Sequence, residues 1–346
     1  MSKHTVISLD LAKRVIQVAK ISRAGELLFN KTMSPNKLRE FLAKQKPSLV
    51  VMEGCGSCHY WARLTESCGH QAKIIAPKAV KPYVSGQKTD ANDAIGIAVA
   101  SQQLGMTFCP IKNIEQQTLQ SVETSRKFLD KSKTALSNHI RGLLYEFGIV
   151  VKLGEKGLRE SVSQHIDPDN VALPIILKQV VTHLWDHYIA TVTQLKHLSQ
   201  LLSCLVKQHE PARRLMALEG VGEKSAAGLI ASLGDGSAHK NGRHAAVYVG
   251  ATPKQHSSGG KVRMTGICKR GDYSLRSTLY IGALSVISRL PVEPKTLKQA
   301  WLIQLVRRVG IKRACIALVN KTVRTAWAML RHGSEYQPMT LSSNPI

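Results

Sequence analysis

Over residues 5–101 the apolar pattern changes period repeatedly, from the two-residue alternation of strands to the three-and-four spacing of helices. The order of those changes limits what the chain can fold into. Short apolar strands are expected at 5–9, 15–21 and 27–33, with Gly25 in the turn between the last two, which makes them an antiparallel meander. Ser34 or Asn36 is placed to cap a helix through Leu38, Phe41 and Leu42. The run 48–52 is continuously apolar, as in a central strand covered on both faces. A helix over 58–67, a strand over 71–75, a basic loop over 78–87 and a helix from residue 90 complete an α/β unit.

Four acids fall at telling places in this order. Asp10 follows the first strand, Glu53 the fourth, and Asp90 and Asp93 open the last helix. Thr89 can cap that helix, and residues three apart share a helix face, about 5–6 Å apart at Cβ. Carboxylates held that close repel unless a cation, a proton or a basic group lies between them, and oxygen-only ligands suit Mg²⁺. Taken alone, the pair is also what an ordinary acidic first turn looks like, favourable to the helix dipole. If the first and fourth strands lie side by side in parallel, Asp10 and Glu53 meet at their carboxyl ends, where open α/β sheets gather ligand sites. Four carboxylates there could hold two Mg²⁺ ions across a phosphodiester.

The strand order is that of an RNase H-like domain, and residues 1–110 are assigned to it. Asp10, Glu53 and the pair in Lys88-Thr-Asp90-Ala-Asn-Asp93-Ala resemble the DEDD set of a RuvC-like domain. That domain belongs to the insertion-sequence transposases known as bridge-RNA-guided recombinases.

The charge balance points to a polyanion partner. Lys and Arg number 48 against 23 Asp and Glu, a net +25 spread along the whole chain, which favours nucleic acid. No run of about 18 apolar residues appears, so no membrane span is expected. Residues 1–4 lead directly into a strand pattern, so no signal peptide is expected. Seven cysteines without a pairing framework suit a reducing cytoplasm. Cys55-x₂-Cys58-His59 with Cys68 and His70 invites a zinc reading. The second half lacks zinc-finger spacing, however, and the residues span a helix that turns them in different directions.

Beyond residue 110 strand patterns stop. Leu119, Val122, Leu129, Leu136, Ile140 and Leu144 recur at helical spacing, with basic residues including Arg126 and Arg141 between them, and a second amphipathic run spans 175–206. Two long antiparallel helices fit, either as a coiled coil between protomers or as a hairpin within one chain. The stretch from Asn138 through Arg141 to Gly148 is similar to the same family. This implies a dimerising coiled-coil insertion over 111–210.

Residues 211–335 are expected to be mainly helical. Leu215-Met-Ala-Leu-Glu-Gly220-Val221-Gly222-Glu-Lys224 reads as helix, tight turn, helix, and resembles a helix-hairpin-helix. Its glycines let backbone N–H groups approach a phosphate at a helix N-terminus, although such a turn can also be purely structural. A glycine-rich loop with Ser257, Ser258, Gly259 and Gly260 follows, hemmed in by Lys261, Arg263, Lys269, Arg270 and Arg276. Nearby cations would stabilise charge on a phosphate under attack, although a serine hydroxyl is by itself a weak nucleophile and the loop could merely grip a DNA backbone. Pro253-x₄-Ser258-Gly-Gly-Lys, then Ile267-x-Lys269-x-Gly271-x₃-Leu275-Arg276, resembles the family's C-terminal transposase motif. One serine of that motif is the DNA-linking nucleophile; the match carries the role to Ser258, with Ser257 one register away. Lys312 to Leu330 is a basic amphipathic helix that either packs the domain or meets nucleic acid, and 336–346 is expected to be a loose tail.

The resemblance implies a DNA recombinase with Mg²⁺ or Mn²⁺ on Asp10, Glu53, Asp90 and Asp93, and a covalent serine–DNA intermediate. It also implies a guide (bridge) RNA pairing with donor and target DNA, and a dimer or tetramer whose protomers share active sites. Arg126, Arg141, Gly220, Gly222, Lys224, Lys261, Arg263, Lys269, Arg270 and Arg276 are the candidate nucleic-acid contacts. The rival enzyme reading is a RuvC-like Holliday-junction resolvase or metal-dependent nuclease with a DNA-binding C-terminal domain.

Overall fold

The computed structural model describes residues 5–87, 89–268 and 271–341. The first part follows the sequence closely: β1 (Val6–Asp10), β2 (Ile16–Ile21), β3 (Leu27–Met33), α1 (Pro35–Lys44), β4 (Leu49–Glu53), α2 (Cys58–Ser67) and β5 (Gln71–Ile75). Ser34 caps α1 by accepting from the Lys37 N–H. The expected basic loop instead contains a short helix, α3 (Pro77–Val80), and a 3₁₀ turn, Lys81–Tyr83. Pro77 and Pro82 fix φ near helical values and start each turn. Then come α4 (Asp90–Ser101) and a short edge strand, β6 (Phe108–Cys109).

The sheet order is β3-β2-β1-β4-β5-β6, with β1, β4 and β5 parallel and the other pairings antiparallel. This mixed sheet is consistent with an RNase H-like domain. Alternation along the strands sorts two cores. Ile7, Leu9, Val50 and Met52 face α1 and α2, while Val6, Val51 and Ile75 face α3 and α4.

Two long helices, α5 (Ile114–Glu146) and α7 (Ile175–Gln208), flank a shorter α6 (Gly154–Ile166). At roughly 1.5 Å per residue each long helix runs about 50 Å. They pack against each other within the chain, as in the hairpin alternative. The far end has its own core, with Ile140, Leu144, Leu158, Val162, Val181 and Tyr188. At the near end Leu119, Leu202 and Val206 are built into the core of the C-terminal domain. Residue 210 is therefore a change of pattern and not a break in packing.

The C-terminal domain contains α8 (Glu210–Leu215), α9 (Glu223–Leu233), α10 (Gly242–Val249), β7 (Pro253–Ser258), β8 (Lys261–Ile267), α11 (Tyr273–Ser288), α12 (Leu297–Val309) and α13 (Ile311–His332). The expected glycine-rich loop is a two-stranded hairpin. Gly259 and Gly260 form its two-residue turn with φ of 55° and 76°, the both-positive geometry that suits the twist of paired strands. The expected loose tail needs correction over 336–341. Leu297 donates to the Met339 carbonyl, Leu341 donates to that of Lys295, and the Tyr336 hydroxyl bonds Glu219. A strand-like bridge at Thr296–Thr340 and an aromatic anchor hold what polar composition left unassigned.

A Cβ added at Gly282 would run into the Gly220 carbonyl oxygen, so the turn before α9 rests directly on the backbone of α11. Gly282→Ala should cost about 1–3 kcal/mol by overpacking and lower the midpoint of thermal unfolding; an unchanged midpoint would contradict this contact.

Burial pushes the imidazoles of His59 and His239 down to about 4, helped by Lys112 and Arg63 at the first and by His244 at the second. The unfolded chain takes up these protons near 6.5, while the fold resists until about 4. Stability is therefore full above that window and is lost as pH falls through it. Thermal melts between pH 7 and 4 should show this decline, and His239→Gln should make it shallower; an identical slope in the variant would refute the assignment.

Candidate metal and nucleic-acid site

The site begins with strand register. Leu9 stands opposite Met52 in the parallel β1–β4 pair, so Asp10 and Glu53 end neighbouring strands one step further on. Asp10 follows Val6 and Ser8 on one face, and Glu53 follows Val51. Both acids therefore lie on the face that α4 covers. Thr89 caps α4 by accepting from the Asn92 N–H and brings Asp90 and Asp93 to the start of the helix. Carboxylate oxygens of Asp10, Asp90 and Asp93 all lie within 4.8 Å of one another. Glu53 occupies the adjacent strand end, outside that group of three. An all-oxygen cluster of this size fits a hard divalent cation.

Two residues that sequence reasoning passed over position the cluster. Gln17 is the cross-strand partner of Asp10 on β2. Its Nε2 donates to Asn30 Oδ1 at 2.6 Å, and Asn30 Nδ2 donates to the Ala91 carbonyl in the first turn of α4 at 2.9 Å. The amide chain thus ties the helix carrying two acids to the sheet carrying the others. Gly96 lets the segment around Tyr83 and Val84 cross α4 closely, since a Cβ there would press on the Val84 backbone and side chain. An apparently ordinary Gln and Asn give no periodic signal, which is why the pattern alone did not reveal them.

Ser258 stands at the tip of the hairpin, opposite Lys261, with His256 opposite Arg263. Alternation places Ser258, His256, Lys261 and Arg263 on one face of the ribbon, all exposed. Ser257 points to the other face, where its hydroxyl accepts from Gln255 Nε2 at 2.8 Å. Among the described residues the hairpin strands pair only with each other, apart from the sheet whose strand ends carry Asp10 and Glu53.

The candidate contacts divide sharply. Lys224, Lys261 and Arg263 are exposed, and Gly222 is an exposed N-cap of α9 with open space around it. Three arginines are instead engaged by their own chain. Arg126 is buried and forks onto Glu123, with Nε 2.7 Å from Oε2. Arg141 donates to the carbonyls of Val151, Lys152 and Gly154 and so clamps the loop between α5 and α6. Arg276 is buried and donates to the Val249 carbonyl. Gly220 has φ of 78° and packs on α11. Each of these four is engaged by partners of its own chain, Arg126 and Arg276 buried and Arg141 and Gly220 half-buried. Lys269 and Arg270 lie outside the described residues.

The cysteine–histidine set near Glu53 is also absorbed locally. His70 accepts from the Ser48 N–H and bonds the Leu42 carbonyl, while His59 bonds Lys112. Among the described residues all seven cysteines are free thiols.

Comparison with known proteins places this geometry. A family model described as "Transposase IS116/IS110/IS902 family" matches residues 212–299, and a second, DEDD-type model described as "Transposase" matches 7–149. The chain is 36% identical to a "Probable family 20 transposase" of Pseudomonas aeruginosa, over 96% of this chain and 98% of that protein. It is 34% identical to the "Transposase for insertion sequence element IS1111A" of Coxiella burnetii, over 97% and 92%. A "Pilin gene-inverting protein" of Moraxella bovis is 25% identical over 83% and 81%.

If the amide chain holds the acidic cluster, Asn30→Ala should raise the Mn²⁺ dissociation constant by about 10-fold, the usual scale for lost outer support. Titration calorimetry would read it, with Lys156→Gln on α6 as the unaffected control; equal constants in all three proteins would remove Asn30 from the site.

Proposed function

Given that the chain belongs to the IS116/IS110/IS902 family of transposases and so carries out DNA transposition or recombination, we propose that it breaks and rejoins strands through an acid-held metal and the Ser258 hydroxyl. The observation that carries this reading is the convergence of Asp10, Asp90 and Asp93 beside Glu53. These four carboxylates would hold Mg²⁺ or Mn²⁺, which when bound neutralises charge on the phosphate under attack.

Ser258 Oγ forms a bond to phosphorus while the bond from phosphorus to a deoxyribose oxygen breaks. That oxygen leaves with the bonding electrons and takes up a proton, and the serine proton passes to water. The number of phosphoester bonds is conserved, so a DNA hydroxyl can reverse the step on another strand and release the serine. Lys261 and Arg263, on the serine's own face of the ribbon, meet the growing phosphate charge. This arrangement favours Ser258 over Ser257, whose face lacks those cations.

The hydroxyl and the acids stand on separate elements, and the tip of the hairpin is exposed. A second protomer can therefore bring its serine to the acids of the first. Assembly through the helical insertion is supported by the apolar side chains left open at its far end, among them Leu153 at 96% and Ile175 at 74% exposure. The same reading assigns sequence choice to an element-encoded bridge RNA paired with donor and target DNA, while the protein contacts backbone. Gly222 and Lys224 at the start of α9 are proposed phosphate contacts.

Incubation with element-end DNA and Mg²⁺, then denaturing electrophoresis, tests the mechanism. The wild-type protein should leave a protein–DNA adduct that survives denaturation. Ser258→Ala should abolish the adduct and keep binding, Ser257→Ala should keep both, and Asp90→Ala or chelation should abolish cleavage. Free cut ends without an adduct would instead identify a hydrolytic nuclease.

A further inference from the structure

α10, α12, α13 and the base of the β7–β8 hairpin enclose a groove of about 1680 Å³. Five cations line it: Arg243 on α10 and Lys312, Arg313, Lys321 and Arg324 on α13. All five are exposed, and no acid is among the lining residues. None of the five forms an ion pair among the described residues, although nine ion pairs occur elsewhere, Lys298 with Glu219 among them. The sequence explains the imbalance: α10, the hairpin, α12 and α13 contain no Asp or Glu. Like charges so arranged repel one another unless a polyanion lies between them.

The positions follow one stripe. On α13, Arg313, Asn320, Lys321 and Arg324 share a face, while Ala314, Leu318, Val319, Val323 and Ala326 fill the core behind it. From Lys312 to Arg324 the helix rises about 18 Å, the length of roughly five base-pair steps along a duplex axis. The groove has aromatic rings, but they are already engaged. Lys321 Nζ sits 4.9 Å over the Trp301 ring, and Trp327 donates to the Gly236 carbonyl and meets His332 edge-on. That leaves charge, with little open ring surface for stacking bases. The groove also runs to the base of the ribbon, whose tip carries Ser258.

We propose that this groove seats the phosphate backbone of DNA next to the strand attacked at the hairpin, without reading its bases. The proposal rests on the DNA-joining role assigned above and names where the flanking DNA lies. It gives the basic helix of the C-terminal domain a binding face as well as a packing face.

The test uses the full chain, with fluorescence anisotropy on labelled element-end duplex and on a scrambled duplex of equal length, at several salt concentrations. The double variants Arg313→Gln/Arg324→Gln and Arg243→Gln/Lys312→Gln each remove a different pair of the five cations, the first from α13 alone and the second across α10 and α13. Each should flatten the plot of log affinity against log salt by about 0.9 per lost phosphate contact, and should weaken both duplexes by the same factor. Lys156→Gln/Lys196→Gln, on the helical insertion, should leave the slope unchanged. Circular dichroism and melting of each variant confirm the fold. Unchanged slopes in both groove variants would overturn the proposal, as would weakening confined to one duplex or to a structured RNA. Ser258→Ala should retain the wild-type slope even though it forms no adduct, which separates failure of the groove from failure of the serine mechanism.

Discussion

The structure turns on a repulsion that the fold must hold in place. Asp10, Asp90 and Asp93 are brought within a few ångströms of one another, and that proximity has to be enforced by groups that gain from it. The parallel pairing of β1 with β4 sets one side. The other side is α4, anchored at its start by Thr89 and by the Gln17–Asn30–Ala91 chain. Further along, Ile97, Ala98 and Ala100 are buried against the sheet, and that burial offsets charge crowding at the first turn. The acidic site therefore depends on apolar packing two turns away as well as on the cap and the amide chain at its edge.

The C-terminal domain achieves rigidity differently. Gly220 and Gly282 allow a turn and a helix to touch backbone to backbone, and Gly271 approaches the Tyr248 carbonyl too closely for a side chain. α5 and α7 share their near-end core with this domain, so the long insertion and the hairpin-bearing unit are mechanically continuous. A half-buried junction joins the first sheet to it: the Tyr248 hydroxyl bonds Cys109, beside Lys112, which itself bonds His59. Desolvation raises the tyrosine and cysteine and lowers the lysine, favouring the neutral form of each.

The fold was legible where one residue type answers to one physical demand. β4 is read from a continuous apolar run, β1 and β5 from short apolar stretches, and the caps of α1 and α4 from Ser34 and Thr89. The acids were readable because a strand end and a helix start are both visible in sequence. The arginines were not: Arg126, Arg141 and Arg276 look like the exposed basic residues around them, and only the carboxylate or carbonyls facing them in space enclose them. The β7–β8 hairpin was also obscured, because exposed strands rich in Lys, Ser and Gly bury no alternating face and so leave no period to detect.

That exposed ribbon makes sense when its charge is considered with its surroundings. An ordinary soluble domain intersperses acids with bases, yet 236–271 and 297–332 contain none. Charge self-repulsion on this scale destabilises the free domain. The buried faces of α11 and α13 oppose it through residues such as Leu279, Leu318 and Val323. A polyanion would remove the remaining repulsion, so binding and folding favour the same arrangement. On the mechanism proposed above, a phosphate chain lying along the groove would also give the exposed hydroxyl at the tip of the ribbon its target.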